Sequence, residues 1–222
     1  MVKLYGSLRS RALRPLWLLR EMGAPHEWIP VVQAYRIGDP SAATAPFNTA
    51  SSEFRAVNPM GQVPTMVDGD LVLTESVAIT LTLARKFGGP LAPATPAEEA
   101  LALNWALLGV SAVEGPALAI LMATHQGDPA SAEGQAAIAN ARASLARPFA
   151  RIDAHLQGQA WLLGDRFTVA DILLVECVRF AIDDAAAFAP FPDLRRWLTA
   201  ARDRPIFKDL WAVRNAEPDT YP

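Results

Sequence analysis

The sequence predicts an α/β unit at the amino end followed by an all-helical carboxy-terminal unit. Three observations carry this. Residues 2–5, 10–22 and 28–32 read in turn as a β-favouring run, an apolar helical segment and a second extended run, the order of a βαβ unit. Residues 63–73 hold two short β-favouring runs around Asp68-Gly69, followed directly by a helical pattern. From Thr95 onward the periodic segments are helical. Gly, Pro, Ala and Thr cluster at residues 88–96, which sets a boundary between domains 1–89 and 95–222.

In the first helical segment, SRALRPLWLLREM, the apolar positions include Leu13, Leu16, Trp17 and Leu19, with Arg11, Arg14 and Arg20 interleaved and Gly23 as the stop. Pro15 lacks a backbone N–H, so an irregular first turn is expected. Residues 33–54, QAYRIGDPSAATAPFNTASSEF, form a long loop rich in Ala, Pro, Ser and Thr. Loops of that length are usually functional or disordered. Pro64 stands near the head of the run 63–67, and proline in a sheet keeps to edges, first positions or bulges, so a backbone edge there is left free for a ligand. Asp68-Gly69 suits the two positive-φ positions of a type I′ turn, from which residues 70–73 pair back. Thr74-Glu75-Ser76 then opens a helix with Val77, Ile79, Leu81, Leu83, Ala84 and Phe87 apolar, closed by Gly88-Gly89-Pro90.

The second unit opens with Thr95 as N-cap, Pro96 at the first helical position and Glu98 three residues on from the cap. Residues 100–123 are apolar enough to raise a membrane span, but Asn104, Glu114 and Pro116 interrupt them. A charge at the centre of a span costs about 2.5–3.5 kcal/mol on insertion scales, so a buried core helix is the expectation. Residues 131–157 follow with Ile138, Leu145, Phe149, Ile152 and Leu156 as inward positions. Thr168 and Asp171 have capping-box spacing, 192–199 and 206–213 complete the helices, and 214–222 reads as a polar, mobile tail.

The chemistry concentrates at residues 58–76. The free N–H groups of a helix start and the Ser76 hydroxyl suit a carboxylate, while the Glu75 carboxylate beside them suits an ammonium. An α-amino-acid group carries both charges on one carbon. The same triplet also serves as a plain helix start, with Thr74 and Ser76 capping and Glu75 answering the helix dipole.

At 222 residues and 51% hydrophobic content the chain supports a substantial core. A net charge of −3 gives no reason to expect nucleic acid or an anionic membrane as partner. The single cysteine, Cys177, excludes an intrachain disulfide and sits in an apolar helical run, where packing is its expected role. His26, His125 and His155 are scattered, so no metal cluster is read. Arg9, Arg11, Arg14 and Arg20 interrupt the amino-terminal apolar residues; no secretory signal is read and a cytoplasmic location is expected.

Asn58-Pro59, Val63-Pro64, Asp68-Gly69, Glu75-Ser76 and Ala78-Ile79, in that order, resemble the glutathione-binding half of the glutathione S-transferase family, and residues 167–171 resemble its carboxy-terminal capping box. The resemblance covers nearly the whole chain; the long 33–54 loop departs from it, and no residue is assigned to the glycyl end of glutathione. It implies a thioredoxin-like amino-terminal domain followed by an all-helical domain. It also implies that Pro64 is cis, that Val63 offers backbone hydrogen bonds to the glutathione cysteine, and that Glu75 and Ser76 hold the γ-glutamyl end. The role of Asp171 in that family is folding, not catalysis.

A thioredoxin-like fold carries its reactive sulfur where the first strand hands over to the helix. Here that place holds Ser10-Arg11-Ala12-Leu13 with no cysteine, which disfavours thiol–disulfide exchange through the protein. Ser10 is the catalytic candidate, donating a hydrogen bond to a bound thiolate as in the serine-type transferases; Arg11 adds positive charge if it points inward, and Ser7 is the rival hydroxyl. A thiol of ordinary pKa, about 8.5, needs about 1.4 kcal/mol of differential stabilisation per unit of depression. A helix N-terminus gives roughly 0.3–1 kcal/mol and a hydrogen bond to a charged group about 1.5–3 kcal/mol, enough together to bring the thiol near neutrality.

The function implied is a cytosolic, homodimeric glutathione transferase that uses glutathione as cosubstrate, needs no metal, and joins the thiolate to a small apolar electrophile. The second substrate is expected where the domains meet, near Leu8 and the helix carrying Asn104, Trp105, Leu108 and Ser111, positions equally suited to core packing. A glutathione-dependent isomerase, dehalogenase or peroxidase, or a non-catalytic dimeric binding protein, is compatible with the same residues.

Overall fold

A computed structural model describes residues 1–221. Two compact units emerge, Met1–Gly89 together with the chain from Arg204 on, and Pro90–Asp203.

The first unit is built on β1 (Val2–Tyr5), β2 (His26–Ile29), β3 (Thr65–Asp68) and β4 (Leu71–Leu73), in the order β2-β1-β3-β4. β1 and β2 run parallel, joined by α1 (Leu13–Glu21), while β3 is antiparallel to both β1 and β4. A short helix α2 (Ser52–Val57) precedes β3 and α3 (Ser76–Phe87) follows β4. Val2, Leu4 and Met66 bury one side of the sheet with Ile79, Leu83 and Ala84 of α3. Every residue of α1 from Leu13 to Leu19 is buried, Arg14 included. Each fully buried Leu or Phe contributes about 1.5–3 kcal/mol, so this small sheet is stabilised chiefly by its helices.

Four details differ from the sequence expectation. The helix α1 starts at Leu13, not at residue 10, and residues 7–14 close instead through Ser10 N–H to Ser7 O (3.2 Å), Leu13 N–H to Ser10 O (3.2 Å) and Arg14 N–H to Arg11 O (3.3 Å). Pro15 has no N–H to offer Arg11, so the regular ladder forms only beyond it. The hairpin is centred on Gly69-Asp70, because Asp68 pairs with Leu71. Gly69 has φ +62° and Asp70 has no positive φ, so the turn needs one such residue where type I′ needs two. β3 begins at Thr65, two residues into the run 63–67, because Pro64 has no N–H for the ladder; the Val63–Pro64 peptide ahead of it is cis, as the resemblance implies.

The fourth difference concerns the carboxy-terminal segment. α10 (Pro205–Ala216) groups with the first unit, although the sequence placed it in the helical domain 95–222. Its Phe207 ring lies 4.8 Å from that of Trp17, and Arg204 forks onto Glu21 with two bonds of 2.7 Å. The polar tail is pinned, not loose. Glu217 accepts the Leu8 N–H at 2.9 Å, and Tyr221 pairs with Ile37 as a parallel bridge. The physical reason is Arg36, buried and in need of acceptors, which finds them on tail carbonyls.

The 33–54 loop is organised around Asn48, whose amide donates to Pro40 O (3.0 Å) and Pro46 O (2.9 Å) while its carbonyl oxygen accepts from Ala50. Thr49 accepts the Ala34 N–H through its hydroxyl at 2.9 Å.

The second unit comprises α4 (Pro96–Leu108), a π turn at Gly109–Val113, α5 (Glu114–His125), α6 (Ala132–His155), α7 (Val169–Val178), α8 (Ala185–Phe188) and α9 (Pro192–Arg202). All ten residues of α7 are buried, as an almost wholly apolar helix requires. Gly109 permits α7 to approach closely, since a Cβ there would meet Cys177 Sγ at 3.0 Å; Cys177 packs and is fully buried. Thr168 and Asp171 form both halves of a capping box. The Asp171 carboxylate also accepts the Leu162 N–H (2.9 Å) and the Trp197 indole N–H (2.8 Å). Burial pushes the Asp171 carboxyl above its ordinary range, against these hydrogen bonds, which pull it down.

The run Pro96–His125 is long and apolar enough to cross a membrane by length and composition, and about a third of its most apolar window is buried. Ala102, Trp105, Ala106, Val113, Ala117 and Ile120 face the unit's interior, while Leu101, Leu103 and Leu107 stay 44–51% exposed. The segment is thus a one-sided core element with an apolar outer face.

Candidate functional site

The first unit holds a cavity of about 530 Å3 lined by Ser10, Arg11, Val63, Pro64, Glu75 and Ser76, the six residues singled out from the sequence. Arg9, Gln33, Tyr35, Thr49, Gly61, Gln62 and Thr74 complete the wall.

The wall at Val63 is shaped by Asn58. Its amide nitrogen donates to Gln62 O (2.9 Å) and Thr65 Oγ1 (3.0 Å), and its amide oxygen accepts the Met60 N–H (3.1 Å). Gly61 takes φ +61°, and a Cβ there would meet Thr49 O at 2.7 Å, so only glycine fits beside the loop. The sheet register starts at Tyr5 opposite Thr65, which leaves the Val63 backbone beyond the ladder and on the cavity.

Glu75 has φ 66° and ψ 114°, and among the described residues it is the one non-glycine with positive φ. Such conformations cost of order 1–3 kcal/mol and cluster where a side chain must be held for a purpose. Glu75 occupies the N-cap position of α3 without a side-chain capping bond, and its carboxylate is exposed on the cavity. Ser76 is nearly buried and its Oγ accepts from Nη1 of Arg14 at 2.9 Å. Arg14 is 1% exposed, so a fixed positive charge stands directly behind the Ser76 hydroxyl at the N-terminus of α3. A carboxylate placed there would meet the helix N–H groups, the hydroxyl and this guanidinium together.

The two serines differ in what they face. Ser7 is 3% exposed and donates to Gln33 Oε1 at 3.1 Å. Ser10 lines the cavity, donates to Ser7 O at 2.7 Å and accepts the Ala12 N–H at 3.1 Å. Arg11 is exposed on the cavity wall, and Arg9 pairs with Asp219 while donating to Arg214 O at 3.2 Å. Among the described residues no three of His, Cys, Asp and Glu gather as they would around a metal ion.

Sequence reasoning missed Arg14, Gln33, Tyr35, Thr49 and Gln62. Arg14 carries a usable signal: it lies three and four residues before Trp17 and Leu18, on the face that α1 buries. The loop residues carry none, because their positions follow from long-range contacts.

A family model described as glutathione S-transferase, N-terminal domain, matches residues 9–86, and one described as glutathione S-transferase, C-terminal domain, matches residues 111–205. The chain is 30% identical over 217 residues to glutathione S-transferase GstB of Escherichia coli (strain K12), covering 95% of this chain and 97% of that protein. The theta-class glutathione S-transferase of Xanthomonas axonopodis pv. citri, solved with glutathione bound, superposes with a TM-score of 0.70 and 31% identity, over 94% of this chain and 95% of that one. Glutathione transferase F7 of Populus trichocarpa superposes with a TM-score of 0.77 and 25% identity, over 97% and 100% of the two chains.

Proposed function

The chain belongs to the glutathione S-transferase family, and from that premise we propose that it activates glutathione in the cavity described above and joins the thiolate to a small apolar electrophile. It is an enzyme of that family with glutathione as cosubstrate. One observation carries the site assignment: an exposed carboxylate, a hydroxyl backed by a buried guanidinium and a further cavity-facing hydroxyl share one cavity. These match an ammonium, a carboxylate and a thiol, the groups that glutathione carries.

In this reading Glu75 takes the γ-glutamyl ammonium. Ser76 and the first N–H groups of α3 take its carboxylate, with Arg14 behind. The Val63 backbone pairs with the cysteinyl peptide along the wall that Pro64 completes, and the sulfur lies at Ser10 with Arg11 adding positive charge. For Ser10 to donate to sulfur it must give up its bond to Ser7 O. A neutral hydrogen bond contributes about 0.5–1.5 kcal/mol and one to a charged group about 1.5–3 kcal/mol, so the exchange is favourable for the thiolate and nearly neutral for the thiol. That difference is what lowers a pKa. The thiol proton leaves to solvent, and the sulfur electron pair forms a new C–S bond as the electrophile either releases a leaving group with its bonding pair or shifts a π pair that takes up a proton from solvent.

Ser10→Ala is expected to raise the pKa of the bound thiol by about one unit, roughly a fivefold loss of thiolate at neutral pH for a thiol that titrates near neutrality, with little change in stability. Thiolate absorbance followed across pH in the complex reads this directly; an unchanged titration would hand the role to Ser7 or to the backbone. Glu75→Ala and Ser76→Ala should each weaken glutathione binding by roughly 10- to 100-fold while slowing the bound reaction less. Calorimetry showing wild-type affinity would remove both from the site.

We further infer a homodimer, supported by the exposed Leu103 and Leu107, one turn apart on α4, and by the exposed Leu71 and Val72 of β4. Solution scattering at micromolar concentration should give twice the chain mass, and a monomer would contradict it. The enzyme is read as cytoplasmic, with neither nucleic acid nor membrane as partner; recovery in a membrane pellet would overturn that.

A further inference from the structure

We propose that the carboxy-terminal segment 217–221 positions the Ser10 turn through Arg36 and Gln33, making Arg36 a positioning residue for thiol activation although it does not line the cavity. The proposal rests on the glutathione reading above.

The turn that carries Ser10 is gripped from one side by a single amide. Gln33, 8% exposed, accepts from Ser7 Oγ through its Oε1 (3.1 Å) and donates to Arg9 O through its Nε2 (3.0 Å). It thereby ties both ends of the Ser7–Ser10 turn, within which Ser10 Oγ donates to Ser7 O. The grip works in one amide orientation only. Turned over, the amide would set NH2 against the Ser7 hydroxyl and a carbonyl oxygen against the Arg9 carbonyl, two acceptors face to face.

Arg36 selects that orientation, because its Nη1 donates to Gln33 Oε1 at 3.0 Å and would oppose an NH2 placed there. Its own guanidinium is buried, and the tail supplies its remaining acceptors. Nε donates to Asp219 O at 3.1 Å and Nη2 to Pro218 O, with the Glu217 carboxylate 3.8 Å from Nη1. The backbone locks the same register: the Tyr221 N–H donates to Arg36 O at 2.7 Å and the Gly38 N–H to Tyr221 O at 3.1 Å. Glu217 also accepts the Leu8 N–H inside the turn at 2.9 Å. The turn is therefore held by Gln33 from one side and by the tail from the other.

The test uses the full chain with Arg36→Ala, Arg36→Lys and Glu217→Gln. Lysine keeps the charge but lacks the fork needed to reach Gln33 and two carbonyls at once. Positioning predicts that both Arg36 variants raise the bound thiol's pKa by about one unit and speed amide exchange in residues 7–12 of the free protein, with a fall in kcat larger than the change in KM for glutathione. Glu217→Gln, which keeps an acceptor for Leu8 and loses the charge, should show a smaller shift in the same direction. A merely structural role would lower the melting temperature of all three variants and leave the thiol titration where it is in the wild type, and that result overturns the proposal. If lysine restores the wild-type titration, charge and not positioning is the cause, and the proposal also falls. Failure of the wild type to bind glutathione is a separate outcome that removes the underlying reading and the thiol claim with it.

Discussion

Asp171→Ala is expected to destabilise the helical unit by about 3–5 kcal/mol, read as a shift in denaturant midpoint at constant slope. The carboxylate lies fully buried and receives the N–H groups of Leu162, Thr168 and the Trp197 indole. Truncation orphans these donors among apolar neighbours, and each buried unsatisfied group costs about 1–3 kcal/mol before any relaxation. Domains of this kind are stable by about 5–15 kcal/mol, so the variant should lose a large share of its margin. A variant within about 1 kcal/mol of the wild type would show that water replaces the carboxylate cheaply.

The sign of the pH dependence follows from the same burial. Because desolvation raises the Asp171 carboxyl above its ordinary range, the folded state holds the proton more tightly than the unfolded state. Its contribution to stability is fully present below the unfolded pKa of about 3.9 and is lost as pH rises through the folded value. Asp171→Asn removes the titration, so its stability curve should lack that fall. A wild-type curve that instead rises across the window would mean that the hydrogen bonds outweigh burial.

Gly6→Ala should abolish thiol activation while leaving most of the fold intact. Gly6 takes φ +150° and is fixed in the sheet by its N–H to Ile29 O (3.0 Å) and by the Trp28 indole donating to its carbonyl (2.7 Å). A Cβ built there meets the Ala12 Cβ at 2.5 Å and lies 3.6 Å from Ser10 Oγ. Contacts that short force movement, and the sheet side cannot yield, so the turn carrying Ser10 must. The expected result is at least a tenfold fall in kcat/KM. The control is the double variant Gly6→Ala with Ala12→Gly, which removes the contact with the Ala12 Cβ but leaves an alanine at φ +150°, and should recover part of the loss. No recovery would place the damage in the Gly6 backbone and not in the turn.

The parts of the fold legible in the sequence are those specified by neighbours along the chain. The βαβ order, the strand–turn–strand–helix of residues 63–87 and the Thr95 and Thr168 helix starts all follow from spacing within a few residues. Where two local solutions compete, the sequence is off by a step: Asp68-Gly69 and Gly69-Asp70 are equally plausible turn centres, and the register of β3 with β4 decides. Pro15 signalled an irregular start to α1, but not that Ser10 would sit in a separate turn. Arg14 is legible only in part: its spacing from Trp17 and Leu18 puts it on the face that α1 buries, but nothing local names Ser76 as its partner. The tail was illegible for a plainer reason. Its bonds to Arg36 and Leu8 span 182 to 209 residues, and a polar segment without periodicity carries no record of such partners.

That span has a consequence for biosynthesis. The strands and turns that shape the cavity leave the ribosome first, yet the segment that pins them emerges only after the whole of Pro90–Asp203. At roughly 5–20 residues per second the delay is on the order of ten seconds, during which the helical unit can fold and the first unit cannot finish. A nascent chain stalled anywhere in that interval carries every cavity-lining residue and lacks the segment that holds the Ser10 turn in place.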